Sequence, residues 1–230
     1  PKGLVMVIPA IRHHRKSLSL HALEARLAPA NNVTIVDAPA STTNMTSQFD
    51  QQTGTVVFST TGPAAQLDID DIEAALKLEG VTTVRIGSDV GGNGTDGFEA
   101  GDIVWDAGVV GGQLSDQGTT LRTLELRPAG NSGGDIVLAG TSFGTSPNQT
   151  GGQLNLIFNT SFSAGDIAFN TLLNQSGVGF GSAVNGLTVT AGGSFTYQGG
   201  PNSAASVSGS IQASANSMVL NHAGFTAGTT

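Results

Sequence analysis

The sequence contains no cysteine, which excludes a disulfide framework and any thiolate metal site. It does not fix the compartment, because extracellular repeat proteins can be held together by hydrogen bonding alone. Charge is scarce as well: Asp, Glu, Lys and Arg make up 11% of the chain, against roughly 25% in ordinary soluble domains. With one Trp and one Tyr, the core has to be mostly aliphatic, and the aromatic girdles of a membrane β-barrel cannot be built. The longest apolar run near the start, Leu4 to Ile11, is interrupted by Pro9 and falls far short of the roughly 20 residues that span a bilayer. No transmembrane segment is expected.

What charge there is lies unevenly. Lys2, Arg12, Arg15, Lys16 and Arg26 stand in the first 30 residues against a single Glu24, leaving four basic and sixteen acidic groups, a net charge of −12, for the remainder. Such a body repels phosphate backbones, which need clustered Lys or Arg, so no nucleic-acid partner is expected. Polarity comes from Ser, Thr, Asn and Gln instead, and 33 glycines supply the turns.

The strongest pattern is internal repetition. Gly101-Asp102-Ile103-Val104-Trp105 returns as Gly134-Asp135-Ile136-Val137-Leu138 and as Gly165-Asp166-Ile167-Ala168-Phe169, with looser copies at Gly152-Gln153-Leu154 and Gly193-Ser194-Phe195. Self-similarity of this kind points to stacked units. The period is two: Ile103/Trp105, Ile136/Leu138, Leu154/Leu156/Phe158, Ile167/Phe169, Leu187/Val189 and Phe195/Tyr197 share one face, with Val104, Val137, Asn155, Ala168, Thr188 and Thr196 on the other. The fold class expected is all-β, a solenoid of roughly five or six coils from about Val81 onward. An antiparallel β-sandwich alternates in the same way and also suits glycine turns, so it remains the alternative.

Three regions follow from the order of signals. Residues 1–30 form a basic segment with Leu20, Leu23 and Leu27 at helical spacing, a helix of its own. Residues 31–66 hold leading strands at Val33–Val36 and Thr55–Phe58 around a polar stretch, Ser41–Thr53, that reads as loop. Residues 67–230 form the solenoid, opening with one short helix near 70–79. In that helix Asp70 serves as cap, Glu73 follows three residues later, Ile72, Ala75 and Leu76 form the apolar stripe, and Gly80 is the stop. The tail Ala227-Gly228-Thr229-Thr230 carries no capping helix, so an exposed last coil is expected, with the polypeptide continuing into further domains.

Two resemblances sharpen this. Lys16 to Asn31, with Leu23-Glu24-Ala25-Arg26-Leu27-Ala28-Pro29-Ala30 at its centre, resembles the N-terminal Leu-Glu-x-Arg-Leu-x-Pro-Ala box of large secreted or cell-surface proteins of planctomycete-type bacteria. That implies an export address, with Met6 as a candidate start. The order Asp-Ile-Glu-Ala-Ala-Leu, Gly80, a Val/Thr strand over 81–86, a glycine-rich turn and Gly101-Asp102-Ile103 resembles a unit of bacterial haemagglutinin- or adhesin-type surface repeat proteins. That resemblance, best over Leu67 to Asp106, implies a right-handed parallel β-helix.

Candidate sites are few. Asp89, Asn93, Asp96 and Glu99 lie in the loop from Ser88 to Glu99 and offer the oxygen ligands calcium accepts. Gly91 and Ala100 depart from the EF-hand pattern, so an exposed turn is the competing reading; calcium is the one cofactor considered. Asp68, Asp70, Asp71 and Glu73 are explained by a helix start, where the dipole favours carboxylates. Asp102, Asp135 and Asp166 recur at one position of the repeat, where stacked like charges repel, and local Asx turns are expected to occupy them. His13, His14 and His21 all belong to the basic segment and leave His222 as the one histidine of the body, so no catalytic constellation is proposed. The expected function is a secreted or cell-surface structural or adhesive β-solenoid segment of a larger bacterial protein, not an enzyme, with an extracellular glycan or surface protein as partner. The alternatives are a carbohydrate-active β-helix enzyme, of lyase or hydrolase type, and a passive spacer. Lys77, Arg85, Arg122 and Arg127 are the only cations such an enzyme could turn toward an acidic polysaccharide.

Overall fold

The computed structural model describes residues 31–37, 40–90, 101–106, 114, 120–128, 133–139, 142–143, 154–170, 178–180, 184–198, 204–221 and 224–227. In chain order these form β1 (Val33–Val36), β2 (Met45–Asp50), β3 (Thr55–Thr60), β4 (Ala65–Asp68), helix α1 (Ile69–Lys77), β5 (Thr83–Val90) and β6 (Ile103–Trp105). There follow β7 (Arg122–Leu126), β8 (Ile136–Ala139), β9 (Ser142–Phe143), β10 (Leu154–Asn159), β11 (Ile167–Asn170) and β12 (Gly179–Phe180). The last are β13 (Val184–Thr190), β14 (Ser194–Gln198), β15 (Ala204–Val207), β16 (Ile211–Ser214), β17 (Ser217–Asn221) and β18 (Gly224–Ala227). The protein is therefore mostly β with one described helix.

Three sheets hold these strands. Their orders are β17-β14-β11-β8-β6-β1-β4, β16-β13-β10-β7-β5-β3-β2 and β18-β15-β12-β9. From β7 onward each strand pairs, in parallel, with the strand three places later in the chain. Among the described strand pairs only β2 and β3 run antiparallel, so the hairpins an antiparallel sandwich would require occur at that one place. The strands of residues 31–66 lie in the same two large sheets as those that follow.

Register stacks like on like. In the first sheet Ala65, Val33, Ile103, Ile136, Ile167, Phe195 and Met218 form one file, and Leu67, Ile35, Trp105, Leu138, Phe169, Tyr197 and Leu220 form the next. In the second sheet Val84, Leu124, Leu156 and Leu187 stack, beside Ile86, Leu126, Phe158 and Val189. All but Met218 and Leu220 are buried, at about 1.5–3 kcal/mol for each large apolar side chain. The period-two reading thus finds the core. Most of the described aromatics gather within it: Trp105 meets Phe143 edge-on at 4.9 Å, and Phe143 stacks on Phe180 at 5.6 Å. Tyr197 satisfies its hydroxyl by donating to the Val178 carbonyl at 2.7 Å, and burial pushes its pKa upward.

Three local expectations need correcting. The stretch read as loop, Ser41–Thr53, contains β2, which forms a hairpin with β3. The turn between them is built by Asp50, whose carboxylate accepts from Gln52 N and Thr53 Oγ1, and by Gly54 at φ +65°. Helix α1 begins earlier than expected, capped by Asp68, whose side chain accepts from Asp70 N. The copy at Gly152-Gln153-Leu154 belongs to a different sheet from the Gly-Asp-Ile copies, since Leu154 pairs with Arg122 and Val184. The anticipated N-terminal helix falls outside the described residues.

Because Trp105 is the single tryptophan and is fully buried against Phe143, its fluorescence reports on the core. Phe143→Ala is expected to lower unfolding free energy by about 3–5 kcal/mol and to shift Trp105 emission to the red; denaturant titration followed by fluorescence checks both.

Candidate functional site

The repeated corner is where chemistry-bearing residues meet. Asn32, Asp102, Asp135, Asp166 and Ser194 each stand immediately before the first inward residue of neighbouring strands β1, β6, β8, β11 and β14. Their side chains do not make local Asx turns, as the sequence had suggested. Asn32 Oδ1 accepts from Asp102 N at 3.0 Å, Asp102 Oδ1 from Asp135 N at 3.0 Å, Asp135 Oδ1 from Asp166 N at 2.7 Å, and Asp166 Oδ1 from Ser194 N at 2.7 Å. Backbone bonds run the opposite way, from Val33 N to Asp102 O, Ile103 N to Asp135 O and Ile136 N to Asp166 O. Each corner is thus fastened in both directions. The residues joined lie 33, 31 and 28 positions apart between the aspartates and on to Ser194.

The preceding glycine is required by space. A methyl group on Gly165 would lie 1.9 Å from the Gly134 carbonyl oxygen, and one on Gly101 would lie 2.2 Å from the Asn31 carbonyl carbon, so backbones approach here as no larger residue allows. Below the corner, Thr160 and Ser163 are fully buried yet satisfied: Thr160 Oγ1 donates to Gly165 O, and Ser163 Oγ donates to Gly134 O. Carboxylate repulsion is not eliminated, however. Burial pushes the Asp135 carboxyl above its ordinary pKa, opposed by the hydrogen bond from Asp166 and reinforced by the charges of Asp102 and Asp166.

The carboxylates at the helix start have separate duties. Asp68 caps α1, Asp71 accepts from Thr42 Oγ1 at 2.5 Å, and Glu73 pairs with Lys77 one turn on. Asp70 is raised in pKa, by desolvation first and then by the surrounding Asp68, Asp37, Glu73 and Asp71. Arg85 is held by Glu125 at 2.8 Å across β5 and β7, and Arg127 lies over the Phe162 ring at 4.1 Å.

Of the calcium candidates, Asp89 lies in β5, while Asn93, Asp96 and Glu99 fall outside the described residues. Among the described residues no group of three or more His, Asp or Glu is arranged to hold a metal ion, and no helix is long and apolar enough to cross a membrane.

Reading β2 as loop also concealed a groove of about 330 Å³ between β2 and α1, lined among others by Met45, Phe49, Phe58, Asp71, Ala75 and Leu78. Alternation of Met45, Ser47 and Phe49 ahead of the Asp50 to Gly54 turn was the available signal. Asp71 is the one ionisable residue lining it, and most of its other lining side chains are apolar. Comparison with protein families, curated proteins and solved structures finds no match to this chain.

The aspartate corner makes an opposed pair of predictions. Since the folded pKa of Asp135 lies above its unfolded value, the folded state holds the proton more tightly, and stability falls as pH rises through the interval between the two. Asp135→Asn keeps the acceptor and removes the charge. It is expected to stabilise the protein near neutral pH, with the gain disappearing once acid protonates the carboxyl in both states. Asp135→Ala releases the exposed Asp166 N–H to water and is expected to cost about 0.5–1.5 kcal/mol. Urea titrations of both variants across pH provide the check.

Proposed function

We propose that the chain is a structural or adhesive segment of a larger secreted or cell-surface bacterial protein, its three sheets forming the faces of a right-handed parallel β-solenoid of the haemagglutinin repeat type. The observation that carries this reading is the parallel pairing of each strand with the strand three places later, the order produced when a chain winds repeatedly past the same three faces. Stacked repeats give a rod whose stability is a sum of neighbour contacts. Uncharged polar side chains on the outward positions and loops of unequal length then supply surfaces for a glycan or a surface protein. The Leu-Glu-x-Arg-Leu-x-Pro-Ala box supports the export address.

The pairing of Lys77 with Glu73 and of Arg85 with Glu125, and the seating of Arg127 on Phe162, engage three of the four cations after residue 26, which supports a non-catalytic role, since acidic-polysaccharide enzymes need cations free for substrate; the buried Nε of the fourth, Arg122, has no hydrogen-bond partner among the described residues. Asp89, Asn93, Asp96 and Glu99 are proposed as a calcium-binding loop on the rod; calorimetric titration showing neither heat nor a higher melting temperature would remove that proposal.

A glycan array combined with a reducing-sugar assay tests the main reading. Binding without turnover is expected. Turnover that disappears in Asp89→Ala or Asp96→Ala would overturn it in favour of a carbohydrate-active enzyme, and silence in both assays would reduce the segment to a spacer.

A further inference from the structure

We propose that the groove between β2 and α1 is filled by the chain's own basic segment, residues 16–27, with Leu20, Leu23 and Leu27 against its apolar wall and Arg26 facing the carboxylates of α1. The groove, of about 330 Å³, is lined by described residues: Met45 and Phe49 of β2, Phe58 of β3, Ala74 and Ala75 of α1, and Leu78 just past it. Phe49 and Leu78 are 39% and 50% exposed. Large apolar side chains that converge on one open groove mark a place for a second apolar surface.

The first 30 residues, which lie outside the described ones, carry such a surface in their sequence. Leu20, Leu23 and Leu27 recur at helical spacing, and Lys16 and Arg26 border that stripe, four residues before Leu20 and three after Leu23. Charge selects this segment over other occupants. Asp68, Asp70, Asp71 and Glu73 crowd the start of α1, where their charges add to the desolvation that raises the Asp70 carboxyl. Lys77 is matched to Glu73 and Arg85 to Glu125, whereas five of the chain's nine Lys and Arg stand in residues 1–30 beside a single Glu. Position favours the segment as well. It runs directly into Asn31 and β1; the neighbouring β4 is bonded to Asn32 through Ala65 N and to the groove residue Thr42 through Asp68 N, and continues into α1. The segment therefore enters the fold one strand away from the groove. Its seating concerns the chain with its first residues attached and is independent of the adhesive role proposed above.

Because the chain has no cysteine, paired substitutions in the full chain read the contact directly. Leu23→Cys with Ala74→Cys is expected to be joined within one molecule by a short bifunctional maleimide, whereas Leu23→Cys with Val219→Cys, on the strand at the opposite end of the stack, is not. Trypsin gives a second readout, since cleavage follows the open population when opening and closing are fast. Cutting after Arg26 is expected to be about tenfold faster in Leu78→Ser, which removes one apolar side chain from the groove, and thermal melting of the β-stack is expected to stay in place because Leu78 is half exposed. Equal cutting in the parent and Leu78→Ser chains, joining to Val219→Cys as readily as to Ala74→Cys, or joining between two molecules in place of one overturns the proposal and leaves the groove to a second copy or a foreign apolar ligand.

Discussion

The structure depends on one constraint, the exact superposition of backbone on backbone at the corners. A parallel ladder places residues of equal rank one above another, so whatever stands at a position in one strand must tolerate its counterpart in the next. Glycine meets that demand where Gly165 lies over Gly134. The carboxylates meet it in another way, since each aspartate turns its oxygen to the amide of the next. Fixing the corner fixes the register, and the register in turn makes the apolar files continuous and the core dry.

That arrangement explains why the same aspartates are both useful and costly. An amide such as Asn32 would serve as the acceptor at every rung without charge, and the chain uses one at the first. Three successive carboxylates instead leave Asp135 flanked on both sides, and their charges add to the burial that already raises its pKa. The ladder is held together by hydrogen bonds strong enough to outweigh a repulsion that the sequence itself introduces.

Much of the fold could be read from the sequence because stacking imposes a local code. Ile103/Trp105 and Ile167/Phe169 declare their inward faces by alternation, and Gly101 and Gly165 mark the corners. What could not be read was who neighbours whom. The partner of Asp102 lies 33 residues away, beyond any spacing rule, so a local turn was the natural inference. Gly152-Gln153-Leu154 imitates a corner in wording but joins another sheet, since short words do not specify register. Strand β2 was hidden because most of its side chains are exposed and polar, and the groove beside it was hidden with it.

The position of β1 within its sheet has a consequence for how the molecule is made. β1 lies between β4 and β6, so Asn32, at its threshold, bonds a residue 70 positions later. Most later strands can dock on an edge that already exists, as bricks are laid on a finished course. β1 has no such foundation when it leaves the ribosome, and its outer neighbour and its inner one both arrive afterwards. The cost of closing so long a loop grows only slowly with length, but the delay does not shrink. β1 gains its outer neighbour once β4 emerges, and its inner edge stays open until the first Gly-Asp-Ile corner follows.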